Sequence, residues 1–128
     1  MKIPYPGISS KLAMYTHMYI CKETDYKAYE YIKCQSLKPY MLVNNTMRHY
    51  WDEAPDIERN PFRHTTRIDC DKTFGTETVS YDDGLKTTSR PDVCKELFDK
   101  VLVELEKDGY FRIALDEDEL RRINHLIN

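Results

Sequence analysis

The chain has 128 residues, 32% of them charged and 41% hydrophobic, with a formal net charge of −3. These totals describe one globular domain, residues 1–128, with enough apolar content for a core. They exclude a whole-protein basic field, so any nucleic-acid contact has to come from a local group of cations. No apolar run approaches the roughly 20 residues that span a bilayer. The opening Met1-Lys2-Ile3-Pro4-Tyr5-Pro6-Gly7 lacks an apolar signal region, so the expectation is a cytoplasmic protein with no membrane contact. In a reducing compartment Cys21, Cys34, Cys70 and Cys94, none in a C-x-x-C pair, are expected to be buried thiols.

In chain order, Pro4 and Pro6 favour an extended start followed by a turn, and a polar loop containing Lys11 leads to the first strand, His17-Met18-Tyr19-Ile20-Cys21. Lys22 to Lys27 is a polar turn. Residues 28–34 alternate, with Tyr29, Tyr31 and Lys33 on one side and Ala28, Ile32 and Cys34 on the other. The tyrosines beside Lys33 suit either a packed strand face or a stacking surface for bases. Gln35 to Pro39 breaks the strand, and Tyr40-Met41-Leu42-Val43 is a further apolar run ended by Asn44-Asn45. A strand is expected at 48–52, then a proline-containing loop or a single helical turn to Pro61.

The stretch from Arg63 to Gly75 is the hinge of the chain, with an apolar-centred strand from Thr66 to Cys70. Two readings of it stand. Arg63 and Arg67 can hold a phosphate while His64 or a carboxylate moves a proton. Alternatively, this is an edge strand whose charges face water. Residues 76–81 alternate, and Asp83-Gly84 supplies a hairpin-turn signal. Ser89 and Pro91 then read as a helix start, and Cys94, Leu97, Phe98, Val101, Leu102 and Leu105 fall on one helical stripe. Asp108-Gly109 ends that helix. Residues 110–115 suit a strand or a linker packed on the core, and Asp116 caps a last helix whose inner face carries Leu120, Ile123 and Ile127.

The candidate chemistry is acid–base work on a phosphodiester without a cofactor. His17 and Cys21 on one strand stand about 13 Å apart at roughly 3.3 Å per residue, too far for a zinc pair, and no P-loop or nucleotide-binding glycine motif is present. The residue types suited to deprotonating a 2′-hydroxyl, neutralising the phosphate and protonating a leaving oxygen are His17, Lys33, Ser36, Arg63, His64 and Arg67.

Three stretches resemble the MazF/PemK-like toxins of type II toxin–antitoxin systems. His17-Met18-Tyr19-Ile20-Cys21 occupies the place of the family's Arg-Pro strand. Lys33-Cys34-Gln35-Ser36 resembles the ending of its second strand, and Arg67-Ile68-Asp69-Cys70-Asp71-Lys72 its R-T-I-D strand. The resemblance implies an α+β fold, an SH3-like barrel or strongly curved antiparallel sheet with two C-terminal helices. It also implies a homodimeric, metal-independent endoribonuclease that cleaves single-stranded RNA through 2′-hydroxyl attack, held in check by an antitoxin protein. On these positions the implied roles are acid or base for His17, phosphate clamps for Arg63 and Arg67, and supporting groups for Ser36 and His64. Lys11 and Lys33 would hold the RNA. The family's strand arginine is replaced by His17, a residue that is not a permanent cation. A second reading therefore stands beside the first: a non-catalytic barrel that binds protein, its many tyrosines suited to an interface.

Overall fold

A computed structural model describes residues 17–23, 28–43, 47–85, 92–107 and 109–128. The Pro4–Gly7 opening, Lys11, most of the 22–27 turn, Asn44-Asn45, the proposed Ser89 and Pro91 helix start and Asp108 lie outside the described residues. Among these residues there are six strands and three short helices: β1 (Met18–Glu23), β2 (Tyr29–Ser36), α1 (Pro39–Val43), β3 (Tyr50–Glu53), β4 (Thr66–Asp69), β5 (Lys72–Thr76), α2 (Lys95–Glu106), β6 (Phe111–Ala114) and α3 (Glu117–Ile123).

β2 is the spine. β1 pairs antiparallel along one of its edges, from Met18 opposite Cys34 to Glu23 opposite Tyr29. Its other edge takes β4 at Cys34–Ser36 and β5 at Tyr29–Tyr31, placed end to end. β3 then flanks β4 and β6 flanks β5. Between the two ladders β2 advances three residues, from Cys34 back to Tyr31, while its partner advances six, from Ile68 to Phe74. The extra residues form a wide bulge facing Ile32 and Lys33, and a bulge of this kind bends the sheet.

Alternation along β2 separates two cores. On one face Ile20, Ile32, Cys34, Ile68 and Cys70 pack with Phe62 and with Leu97, Val101 and Leu105 of α2. On the other, Tyr31 and Phe74 pack with Val79, Leu115, Leu120 and Ile127. Helix α2 is capped by Cys94, whose Sγ accepts from Leu97 N at 3.4 Å. After α2 the chain turns through Gly109 at φ 76°, a conformation that costs glycine nothing. Asp116 caps α3 by accepting from Glu119 N, as its sequence position predicts.

Several expectations are corrected. The class is α+β and the two C-terminal helices are present, but the sheet is mixed and does not close into a barrel. The antiparallel expectation fails at β6, which pairs parallel to β5 because α2 lies between them as the crossover such a pairing requires. Asp83-Gly84 closes no hairpin. It sits in a 3-10 turn, and the segment before it pairs instead with the chain end, through Ser80 N to Asn128 O and Asp82 N to Leu126 O. Ile127 is buried by that pairing and lies outside α3. Helix α2 begins at Lys95 rather than near Pro91. The apolar run 39–43 is helical. Cys34 and Cys70 are buried as expected, whereas Cys21 is exposed and Cys94 half-buried.

Candidate functional site

Four of the candidate residues gather at one end of the sheet. His17 immediately precedes β1, whose Met18 lies opposite Cys34. Ser36 ends β2 opposite Thr66, and Leu37 N donates to Thr65 O at 2.8 Å. The pairing therefore draws the exposed pair Arg63 and His64, just ahead of Thr65, to the same end. The two faces divide them. Ser36 shares a face with Cys34, on the α2 side, whereas His17, Lys33 and Arg67 alternate onto the opposite face.

A buried loop scaffold leads to Arg63. Asn60 is fully buried. Its Nδ2 donates to Glu53 Oε2 (3.1 Å) and Ala54 O (3.0 Å), and its Oδ1 accepts from Phe62 N (3.1 Å) and Asp56 N (3.3 Å). Arg59 Nε also donates to Glu53 Oε2, at 3.0 Å. A buried polar side chain with every group satisfied fixes the path of a loop that the sequence pattern leaves open.

Arg67 is engaged inside the protein. Its Nε and Nη2 donate to the two carboxylate oxygens of Asp52, each at 2.8 Å, and its Nη1 donates to Met41 O at 3.3 Å. The guanidinium lies 3.8 Å from the centroid of the Tyr50 ring, and the residue is 2% exposed. Such a two-point ion pair is the strong form of the interaction. Its effect here is to hold β3 and α1 against β4.

Lys33 contrasts with Arg67. It is half-buried opposite the bulge, and its ammonium has no hydrogen-bond or ion-pair partner within the described residues. The carboxylates of the bulge are occupied. Asp69, fully buried, accepts from Lys72 Nζ at 2.7 Å and from Asp71 N at 2.8 Å. Asp71 accepts from the amides of Arg48 and His49 at 2.7 and 2.9 Å. Burial, and then repulsion from Lys72, lower the pKa of Lys33 against a smaller upward pull from Asp69. Burial also lowers that of His17, with Lys33 adding to the effect, so its imidazole is neutral over a wider pH range than usual.

A second polar cluster escapes the sequence reading. Glu30, 5% exposed, accepts from Tyr110 Oη (3.2 Å) and Thr73 Oγ1 (3.3 Å) and pairs with Lys22 Nζ (3.4 Å) and Arg112 Nε (3.6 Å). The signal for it was a glutamate on the same strand face as Ile32 and Cys34. Its donors come from β1, β5, β6 and the turn after α2, so it ties the parallel strand into the sheet.

Among the described residues no three His, Cys, Asp or Glu side chains group to hold a metal ion, and no helix is long and apolar enough to cross a membrane. Comparison with known protein families, curated proteins and solved structures finds no match for this chain.

Proposed function

We propose that this chain is a metal-independent endoribonuclease that cleaves single-stranded RNA, a cytoplasmic toxin-like homodimer held inactive by an antitoxin protein. What supports this reading is that backbone pairing brings His17, Ser36, Arg63 and His64 to one end of the sheet, with His17 and Ser36 on opposite faces, although they stand far apart in the sequence. The residue types are those of acid–base phosphodiester cleavage, and the bent sheet is read as a variant of the toxins' SH3-like barrel with its closure missing.

On this reading the 2′-oxygen forms its bond to phosphorus as the bond to the 5′-oxygen breaks, leaving a cyclic phosphate. A neutral His17 takes the 2′-hydroxyl proton, and His64 serves as the acid that supplies a proton to the leaving oxygen. Arg63 and Lys33 offset the charge that develops on the phosphate oxygens. Arg67 acts on its neighbours through Asp52 rather than clamping the phosphate, Ser36 remains a supporting group, and Lys11 remains a residue that would hold the RNA. The test is cleavage of a long single-stranded RNA in EDTA by the intact protein and by the double variant His17→Ala, Arg63→Ala. The expected result is cleavage by the intact protein, reduced at least about 100-fold in the variant. Cleavage that survives the double substitution discards this site.

A second reading is favoured by one feature. Tyr40, Leu42 and Val43 of α1 are 66%, 67% and 82% exposed, an unusual density of large apolar groups for a five-residue helix. That surface suits a non-catalytic protein-binding module, which folded protein lacking any cleavage in EDTA would support.

A further inference from the structure

We infer that Lys33 and the bulge opposite it form a seat for a single oxyanion, of the phosphate class, on the face of the sheet shared with Tyr31 and Arg67. The inference deepens the endoribonuclease reading by assigning the scissile phosphate to this lysine instead of to Arg67.

Three observations converge on it. The first is placement: Lys33 lies where the ladder between β2 and its neighbours is broken, with six residues of one strand passing three of the other. Bulges re-aim side chains and interrupt pairing beside functional sites. The second is charge. Asp69 is held by Lys72, and Asp52 by Arg67, so these two carboxylates are taken up by other cations. Lys33 is half-buried and has no hydrogen-bond or ion-pair partner among the described residues. A desolvated, unpaired ammonium is costly, and an anion from solution removes that cost. The third is that Asp71 spends both its oxygens on the Arg48 and His49 amides, so it does not turn toward the lysine as a substitute. Burial and then Lys72 lower the pKa of Lys33, against a smaller upward pull from Asp69.

A seat of this kind discriminates by charge and size, taking a tetrahedral or planar oxyanion. A free phosphate and an RNA phosphodiester share that chemistry. His17 on the same face then lies on the side from which a 2′-hydroxyl bound beside the seat would lose its proton.

The experiment is a titration of the full-length protein with inorganic phosphate, followed through the side-chain ammonium and ε-methylene NMR signals of its lysines. The expected result is a saturable shift of the Lys33 signals, with no comparable change at Lys95, which is 89% exposed and paired with Asp99. Folded Lys33→Gln protein should lose saturable phosphate binding altogether. A small linear drift shared by all lysines overturns the inference, and this reading needs no variant to fold. A 2′-deoxy oligonucleotide that displaces phosphate from Lys33 identifies the phosphodiester as the occupant, and failure to displace identifies free phosphate. Both outcomes uphold the seat. If RNA cleavage is absent while the saturable shift remains, the nuclease reading falls and the seat stands.

Discussion

At the scale of single residues, the contrast between Arg67 and Lys33 carries most of what the site can do. Arg67 is the residue that the sequence pattern marks for phosphate, yet Asp52 takes two of its nitrogens. Removing Asp52 leaves a buried guanidinium short of its main acceptor. We expect Asp52→Ala to lower unfolding stability by about 1–3 kcal/mol in urea titrations. A variant as stable as the native protein would mean the pair is structurally idle and Arg67 free for other work. The cysteines divide in a similar way. Burial pushes the Cys34 and Cys70 thiols up to about 12, so both remain protonated and inert near neutral pH. Thiol titration of the native protein should label Cys21 first and Cys94 more slowly, with Cys34 and Cys70 reacting only after denaturation. Fast labelling of either buried thiol would overturn the packing described for β2 and β4.

At the scale of elements, β6 is held by side chains as well as by its parallel ladder. Arg112 lies flat across Gly75, and a Cβ at that glycine would stand 2.3 Å from the guanidinium carbon. The long arginine can swing away, but only by leaving Glu30. Gly75→Ala should therefore cost about 1 kcal/mol, and the cost should largely disappear in an Arg112→Ala background, a coupling that a double-mutant cycle measures directly. Additive effects would show that the strain lies in the backbone instead. Which elements were legible in the sequence follows from how local their causes are. The α2 stripe and the Asp116 cap depend on residues within a turn of one another, and both are found where the pattern puts them. The alternation of β2 likewise sorts Tyr31 from Ile32 onto the correct faces. The parallel pairing of β6 and the use of residues 80–82 to dock the chain end depend on partners 39 or more residues away, which no local pattern encodes. For the candidate site the residue types could be read, and so could their strands. The bulge that isolates Lys33, the Asp52 partner of Arg67 and the Glu30 cluster come from register, which single-sequence periodicity does not fix.

At the scale of the whole molecule, protonation of His17 links stability to pH and, on the nuclease reading, activity as well. Its ordinary value is 6.5, and burial followed by Lys33 lowers it in the fold. Between the folded value and 6.5 the unfolded chain binds more protons than the native one, so stability rises with pH across that window. The contribution is complete above 6.5 and is lost as pH falls through the folded value. Glu117 acts in a lower window: burial raises its pKa, but the Thr78 and Glu77 groups that donate to it bring it below its ordinary 4.5. Urea midpoints measured across mildly acid pH should thus decline in the native protein, and less so in His17→Gln. The nuclease reading makes the same imidazole a base, so the acid limb of RNA cleavage should lie below 6.5. In Lys33→Gln that limb should move part of the way back toward 6.5, because the lysine's repulsion is gone while the larger effect of burial remains. A limb at 6.5 in the intact protein would remove His17 as the buried base. A limb unmoved by Lys33→Gln would separate the two residues and leave the oxyanion seat without a part in the proton transfer.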